Sequence, residues 1–128
     1  MDLRTLNDVF FKATSRGSER AILTPVGDQW EPISCDALYW RTWRLAAWLQ
    51  SQGVAKGDRI ALIAENRWEW AVTDFASLAI GAIDVPMFPT LTLDQTRAQL
   101  EDSGAKIAIV STQDVAKKVA GTGFAGTL

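Results

Sequence analysis

The second half of the chain alternates between short apolar runs and longer segments of helical periodicity, and this alternation constrains the fold more than any other feature. The apolar runs cover residues 59–64, 82–88 and 106–111. Unbroken apolar runs of this length are typical of strands covered on both faces. A helical segment follows each run. The sequence therefore predicts strand–helix–strand–helix–strand–helix from Arg59 onward, with two right-handed crossovers, a parallel sheet and helices that cover it.

The helices of this half carry start and stop signals. Asn66 with Glu69, and Thr92 with Gln95, match the capping-box pattern that opens a helix. The predicted helices cover 68–80 before Gly81, 92–104 with Gly104 closing, and Ser111 or Thr112 through Ala120. Pro86 lies in the second strand and cannot donate to a ladder, so that strand must end, bulge or lie at an edge there.

The first half of the chain predicts a helix, a β-hairpin and a second helix. The predicted elements are a helix over 3–15 capped by Asp2 or Thr5, strands over 21–24 and 30–33 joined by a bulged or longer turn over 25–28, and a helix over 37–52 between Ser34 and Gly53. No linker divides the chain. We therefore expect an α/β fold with one domain over 1–120 and a flexible glycine-rich tail over 121–128.

Composition excludes several classes of function. The 13 basic and 15 acidic residues form no basic patch, so nucleic-acid binding has no support. Without histidine the chain cannot use a Ser-His-Asp or Cys-His mechanism. The start lacks a signal-peptide pattern, and the longest apolar stretch, 70–85, is interrupted by Asp74 and Asp84, which is too broken for a membrane span. We expect a cytoplasmic location.

Few side chains invite a functional interpretation. Glu65, Asn66 and Arg67 follow a strand, where ligands of open α/β sheets bind, although helix capping explains Asn66 and a solvated first-turn position explains Arg67. Asp84 lies inside an apolar strand; we favour a hydrogen-bonded structural carboxylate over a ligand at the strand's carboxyl end. Cys35, the one cysteine, has no partner cysteine or base and is interpreted as inert.

Two further patterns have simpler explanations. Residues 121–126 spell G-x-G-x-x-G, but a predicted helix rather than a strand precedes them and no helix opens within them, so a small-residue tail is favoured over a dinucleotide site. Tryptophans are frequent, at 6 residues, and five of them lie on the helices over 37–52 and 68–80. We expect core or interface roles rather than ligand stacking, with some packing against protein outside this chain.

Longer strings resemble a known family. Residues 57–70, from Gly57-Asp58-Arg59 through Asn66 to Glu69-Trp70, resemble the "GDRVA…xNxxEW" stretch of AMP-forming acyl-CoA synthetases, which are adenylate-forming ligases. Residues 78–86 resemble the second core motif of adenylate-forming enzymes, and 33–38 a degraded first core motif. Residues 102–106 before an apolar strand are also typical of the family. The resemblance runs from Leu6 to about Val115 and is strongest to bacterial long-chain fatty acid–CoA ligases.

The resemblance implies that this chain is an N-terminal fragment of a larger adenylate-forming domain. The family activates a fatty acid with ATP to an acyl adenylate and transfers the acyl group to coenzyme A. ATP, Mg²⁺ and coenzyme A are thus implied for the parent enzyme, as is a fatty acid substrate, with peripheral membrane association left open. The family's Ser/Thr/Gly-rich phosphate loop, threonine–glutamate pair, ribose-binding aspartate and catalytic lysine have no counterpart here. No catalytic, cofactor-binding or metal-binding residue is assigned, and we expect the fragment to bind no cofactor and to be inactive alone.

A second interpretation is kept beside this one. The chain could act as a small stand-alone α/β binding or interaction domain without catalysis. The reading frame beyond Leu128 separates the two, because the first requires a Ser/Thr/Gly-rich loop a few tens of residues downstream. A cut sheet leaves an unpaired edge and apolar faces, so the first interpretation also predicts that the fragment packs against the remainder of its own chain or self-associates.

Overall fold

The computed structural model describes residues 2–128 as an α/β fold; Met1, the first residue of the predicted domain over 1–120, lies outside them. The described part of the chain forms, in order, α1 (Leu6–Thr14), β1 (Ile22–Val26), β2 (Gln29–Ile33), α2 (Cys35–Ser51), β3 (Arg59–Ile63), α3 (Trp68–Ala79), β4 (Ile83–Met87), α4 (Leu93–Ser103), β5 (Ile107–Val110) and α5 (Gln113–Gly121). The predicted helix, hairpin and βαβαβα order is confirmed. No helix among residues 2–128 is long and apolar enough to cross a membrane.

The second half of the chain forms a three-stranded parallel sheet with the order β4-β3-β5. The central strand β3 is almost fully buried, as its unbroken apolar sequence predicts. Strand β4 lies at an edge, and Pro86 is opposite Leu62 of β3. The edge position is one of the alternatives that Pro86 requires, so that prediction is confirmed.

Helices cover both faces of this sheet. On one face, Ala46 and Leu49 of α2 and Ala76 of α3 pack with Ile60 of β3. On the other face, apolar side chains of α4 and α5 pack with alternate residues of β3 and β5; they are Leu100, Val115, Val119, Ala61, Ile63 and Ala108. Helices α3 and α4 thus lie on opposite faces, as two right-handed crossovers that run in opposite directions across the sheet require.

The hairpin turn is shorter than predicted. The strands pair up to Val26 and Gln29, so a two-residue turn joins them instead of the bulged or longer turn expected over 25–28. Gly27 supplies the positive φ of +59° that such a turn needs at its first position. Pro25 continues the strand because, one residue from the closing pair, it occupies a position that does not donate to the partner strand.

Most predicted helix starts are confirmed. The Ser34 hydroxyl accepts from the N–H of Ala37 at 3.1 Å, and Thr92 forms a full capping box with Gln95. Thr5 rather than Asp2 caps α1. Gly104 closes α4 in the left-handed conformation, with φ of +60°.

The capping box predicted at Asn66 is wrong. The N-cap residue of α3 is Arg67, and its side chain makes no capping hydrogen bond. Glu69, which the box would use, is held instead by two hydrogen bonds of 2.7 Å from the Arg67 guanidinium. A bidentate ion pair is stronger than a neutral amide cap, so Glu69 takes the charged partner.

The tail over 121–128 ends against β5. Thr127 forms a parallel bridge with Ile107: the Ala108 N–H donates to the Thr127 carbonyl at 2.9 Å, and the Thr127 N–H donates to the Lys106 carbonyl at 3.0 Å. A side chain at Gly126 would collide with the Lys106 carbonyl. The flexibility expected for this segment stays a prediction, but its end has a defined pairing partner.

Candidate functional site

The carboxyl ends of the three parallel strands meet at one edge of the sheet. Chain direction across the sheet reverses at β3, since β4 lies on one side of it and β5 on the other. Ligands of open α/β sheets bind outside the carboxyl ends of the strands, at such a reversal. The loops that follow β3, β4 and β5 therefore frame the candidate site, and two clefts lie among them.

The larger cleft, called here the β3–β4 cleft, has a volume of about 480 Å³. Trp70 of α3 forms one wall, and Pro86, Met87 and Phe88 form another. Phe88 is 76% exposed, an unusual state for a large aromatic side chain in a packed protein. Glu65 and Asn66 add polar groups to a mostly apolar lining, which is the usual composition of a small-molecule site.

The smaller cleft, called here the β3–β5 cleft, has a volume of about 260 Å³. It shares the lining residues Ala64 and Trp70 with its neighbour, so the two clefts adjoin there. Arg67, Glu69 and Ser111 lie at its polar side. The β3–β4 cleft thus has a mostly apolar lining, whereas the β3–β5 cleft includes an ion pair in its lining.

Two carboxylates at this edge, Glu69 and Glu65, each accept hydrogen bonds from a neighbouring side chain. The Arg67 guanidinium, which donates to Glu69, holds the pKa of that carboxyl below its ordinary value. The Ser111 hydroxyl donates to Glu65 at 2.6 Å and lowers the pKa of Glu65. Both carboxylates are therefore ionised at neutral pH, and neither is suited to act as a general acid there.

A lysine fixes the loop that follows β4. Lys118 of α5 donates its Nζ to the carbonyls of Pro89 at 2.6 Å and Leu91 at 2.7 Å. These bonds hold the segment that carries Phe88 against the helix. No local motif in the sequence marks Lys118, because its partners lie 29 and 27 residues away along the chain.

Asp84 does not belong to the candidate site. It is the second residue of β4, so it lies away from the carboxyl end of the strand. Its buried oxygens accept no hydrogen bond from an amide or hydroxyl side chain in the described part of the chain, but the Asp74 carboxyl lies within hydrogen-bonding reach, so the hydrogen-bonded carboxylate stays a prediction. Burial, and then the neighbouring Asp74 carboxylate, raise the pKa of Asp84 to about 7. Burial also raises the pKa of Asp74.

The remaining candidates lie away from the clefts. Cys35 is buried at the start of α2, where its thiol donates to the Ala13 carbonyl at 3.5 Å, and its inertness stays a prediction. The first glycine of the G-x-G-x-x-G string ends α5, so a helix precedes the string, as expected. Trp30, Trp40 and Trp48 are 66%, 60% and 42% exposed, which agrees with the expectation that not all tryptophans enter the core.

The side chains that the structure describes at this edge are suited to binding contacts. Among residues 2–128 no group of three metal-ligating side chains is brought together. The side chains at the two clefts offer stacking, apolar contact and a few hydrogen bonds. Of the candidates from the sequence, Glu65, Asn66 and Arg67 do meet at this edge, whereas Asp84 and Cys35 do not.

A family model described as AMP-binding enzyme matches residues 10–125, nearly the whole chain. The chain belongs to this family. The resemblance to adenylate-forming ligases found in the sequence is thereby confirmed.

Curated relatives carry names of acyl-CoA ligases. The chain is 37% identical over 91 residues to the long-chain-fatty-acid–CoA ligase FadD15 of Mycobacterium bovis, covering 71% of this chain and 15% of the relative. It is 32% identical over 108 residues to a long-chain-fatty-acid–CoA ligase of Escherichia coli O6:H1, covering 84% of this chain and 19% of the relative. The chain thus spans less than a fifth of the length of these two relatives.

Solved structures share the fold. The N-terminal subdomain of Klebsiella oxytoca NpsA superposes with a TM-score of 0.71 at 28% identity, covering 84% of this chain and 28% of that one. The N-terminal domain of FACL13 from Mycobacterium tuberculosis gives 0.76 at 22% identity, covering 92% and 30%. The expectation that this α/β unit is part of an adenylate-forming N-terminal domain is confirmed.

Proposed function

We propose that this chain is the N-terminal part of a ligase that joins a long-chain fatty acid to coenzyme A. The support is the family match over residues 10–125, together with relatives of that name that are several times longer. In the proposed reaction a fatty acid carboxylate oxygen attacks the α-phosphorus of ATP and pyrophosphate leaves. The coenzyme A thiol then attacks the acyl carbon of the adenylate, its proton is lost, and AMP leaves.

The 128 residues contribute scaffold to this reaction. ATP phosphates and Mg²⁺ require a phosphate-cradling loop and oxygen ligands. The described residues hold no cluster of metal-ligating side chains, and the sequence has no glycine-rich loop with a lysine that would cradle phosphates. We therefore derive no chemical step from these residues, and we propose that the isolated chain neither binds ATP nor forms an adenylate.

Within the longer protein we propose that the β3–β4 cleft borders the bound substrates. Its position at the carboxyl ends of the strands and its mostly apolar lining support this role. Trp70 would act there as a positioning residue, since it lines both clefts.

Pyrophosphate release tests the proposal. The longer protein encoded by the same reading frame, given ATP, Mg²⁺, a long-chain fatty acid and coenzyme A, should release pyrophosphate, and the 128-residue chain should release none. Adenylate formation by the short chain would contradict the scaffold role. A natural stop codon directly after Leu128 would favour the alternative, a stand-alone binding domain.

Trp70→Leu tests the role of the cleft in the same assay. It should lower kcat/KM of the longer protein about tenfold, corresponding to about 1.4 kcal/mol of lost transition-state stabilisation. Trp40→Leu is the matched control, because Trp40 is 60% exposed on α2 and lines neither cleft. Equal kinetics for the two variants would remove the cleft from the mechanism.

A further inference from the structure

The segment that follows β4 is a tight turn, and two of its carbonyls accept hydrogen bonds from a lysine. The Leu91 N–H donates to the Phe88 carbonyl at 3.2 Å, which closes a β-turn with Pro89 at its second position, where proline is favoured. The Lys118 Nζ donates to the carbonyls of Pro89 at 2.6 Å and Leu91 at 2.7 Å. One ammonium group therefore holds the second and fourth residues of the same turn.

The Lys118 ammonium has no competing partner in the described part of the chain. It forms no ion pair with a carboxylate of residues 2–128, and its side chain is half-buried. Its neighbour Lys117, by contrast, is 79% exposed and lies 3.9 Å from Asp114. Because a hydrogen bond from a charged donor is about twice as strong as a neutral one, Lys118 restrains the turn strongly.

The same turn forms part of the wall of the β3–β4 cleft. Its first three residues, Phe88, Pro89 and Thr90, all line the cleft. Phe88 is 76% exposed, so packing does little to fix its ring, and the position of the ring follows that of the backbone. A displacement of the turn would therefore change the shape of the cleft.

The lining of the cleft favours an uncharged part of a substrate. Among the described residues the lining contains one carboxylate, Glu65, and no basic side chain. The Ser111 hydroxyl donates to Glu65 and lowers its pKa, so a negative charge that repels phosphate groups lies beside the cleft at neutral pH. Trp70, Met87 and Phe88 offer apolar contacts instead. The alkyl chain of a fatty acid and the thiol-bearing arm of coenzyme A are both chains of this uncharged kind.

We propose that Lys118 is a positioning residue of the longer protein: by holding the turn over 88–91 it sets the place of the Phe88 ring, which contacts the uncharged chain of a substrate bound in the β3–β4 cleft. This inference rests on the proposed function, since that function supplies the substrates. Lys118 does not line the cleft itself, so it acts through the turn.

Steady-state kinetics of the longer protein test the inference. Lys118→Met should raise KM about fivefold for one substrate, either the long-chain fatty acid or coenzyme A, while kcat and the KM for ATP change less than about twofold. The substrate whose KM rises is the one whose chain occupies the cleft. Lys118→Arg keeps a charged donor and should recover most of the lost affinity.

Lys117→Met is the matched control and should have the kinetics of the parent protein, since its side chain is exposed on the same helix. An unchanged KM for both substrates in Lys118→Met would overturn the inference. A fall in kcat that is equal with every substrate would overturn it as well, because it would indicate a general loss of folded enzyme.

A double substitution shows whether Lys118 acts through Phe88. Phe88→Ala should raise the same KM about tenfold, because it removes the ring that contacts the chain. Adding Lys118→Met should then raise KM by less than about twofold more, since the ring that Lys118 positions is already absent. Effects that multiply would mean that Lys118 influences the substrate by another route, and the inference would be wrong.

Hydrogen exchange at the Leu91 N–H separates this inference from the proposed function, because it requires no catalysis. Lys118→Met should accelerate this exchange about tenfold in the longer protein, and Lys117→Met should not. If the parent protein releases no pyrophosphate, the ligase activity is contradicted, while faster exchange at Leu91 still supports the hold of Lys118 on the turn. Unchanged exchange at Leu91 would overturn the inference even in an active ligase.

Discussion

The two ends of the parallel sheet are built in different ways. At the amino end, Asp58 accepts hydrogen bonds from the Ala55 N–H and the Lys106 Nζ, each at 2.7 Å. Beside it, the Arg59 Nε donates to the Ser103 carbonyl at 2.6 Å. These bonds tie the turn before β3 to the turn before β5, and the cleft at this end, of about 270 Å³, lies between the end of α4 and the tail.

The carboxyl end has the opposite character. Its loops enclose clefts of about 480 and 260 Å³. Phe88, in the loop that follows β4, is 76% exposed. Only Lys118 crosses from a helix to fix the Phe88 segment. The difference indicates that stability is concentrated at the amino end and that the carboxyl end is left accessible for ligands or for further chain. The predictions below test this division, beginning with the largest effect.

Arg59→Ala should be strongly destabilising, by about 2 kcal/mol, because it leaves the Ser103 carbonyl without its donor and removes a partly buried side chain. That corresponds to a Tm lower by about 8 °C in a chain of this size. Phe88→Ala, at the other end, should change stability by less than about 0.5 kcal/mol. Thermal unfolding of both variants measures the contrast, and equal losses would remove the distinction between the two ends.

Lys118→Met should loosen the segment after β4 that carries Phe88. It deprives the Pro89 and Leu91 carbonyls of a charged donor and should cost about 1–2 kcal/mol in urea unfolding. Hydrogen exchange should accelerate over residues 88–92 more than elsewhere. Lys117→Met is the control on the same helix, since the Lys117 side chain is 79% exposed. A similar effect from this variant would show that the Lys118 hydrogen bonds do not hold the Phe88 segment.

Asp84→Asn should stabilise the protein at high pH, because it removes a carboxylate that is buried in the amino half of β4. The folded pKa of Asp84 is raised to about 7 from an ordinary 3.8, so the unfolded state releases this proton first. The free energy of unfolding is therefore highest, as far as Asp84 determines it, below pH 3.8, where the carboxyl is protonated in both states. It falls as the pH rises from 3.8 to 7, and above pH 7 the folded state carries the full cost of the buried charge. The substitution should therefore raise Tm at pH 8 by ~4 °C, after solvent screening is allowed for, and have little effect near pH 4.

The control for this pH effect is Asp28→Asn in the exposed hairpin turn, which should leave the pH dependence of Tm unchanged. A Tm of Asp84→Asn that is lower than that of the parent chain at pH 8 would mean that the Asp84 carboxylate has a stabilising partner.

Ser111→Ala should have the smallest effect. It removes the hydroxyl that donates to Glu65, so the pKa of Glu65 should rise toward its ordinary value while the fold is unaffected. An NMR titration of the Glu65 carboxyl measures this change. The control is Ser103→Ala, which changes a serine far from Glu65 and should leave the pKa of Glu65 unaltered. Thr112→Val would not serve, because it removes the N-cap of α5.

Much of this architecture is readable from local sequence. Unbroken apolar runs locate β3 and β5, and Ser34, Thr92 and Gly104 mark helix ends because their interactions span four residues or fewer. Asn66 shows the limit of such reasoning: a capping pattern was present, but the Arg67 side chain competed successfully for Glu69. Pattern alone does not reveal which of two partners a side chain will choose.

Features that depend on distant contacts were not predicted. Local sequence places Arg59 at the start of a strand but gives no sign that Arg59 and Asp58 bond to Ser103 and Lys106, which lie more than 40 residues away. The Asp74 and Asp84 pair also forms only when α3 packs onto the sheet. The family resemblance, by contrast, needed no structure, since it is carried by the order and spacing of short strings.

The unequal edges of the sheet have a consequence for synthesis. Because Pro86 removes a backbone donor from the outer edge of β4, further backbone pairing is easier at the outer edge of β5, where Thr127 already pairs with Ile107. At about 5–20 residues per second, synthesis of ten further residues takes roughly a second, and during that time the outer edge of β5 in a nascent chain remains unpaired beyond the Thr127 bridge. A pause in translation just after Leu128 would prolong that interval, and polysomes stalled there should accumulate aggregates that stalling thirty codons later does not produce.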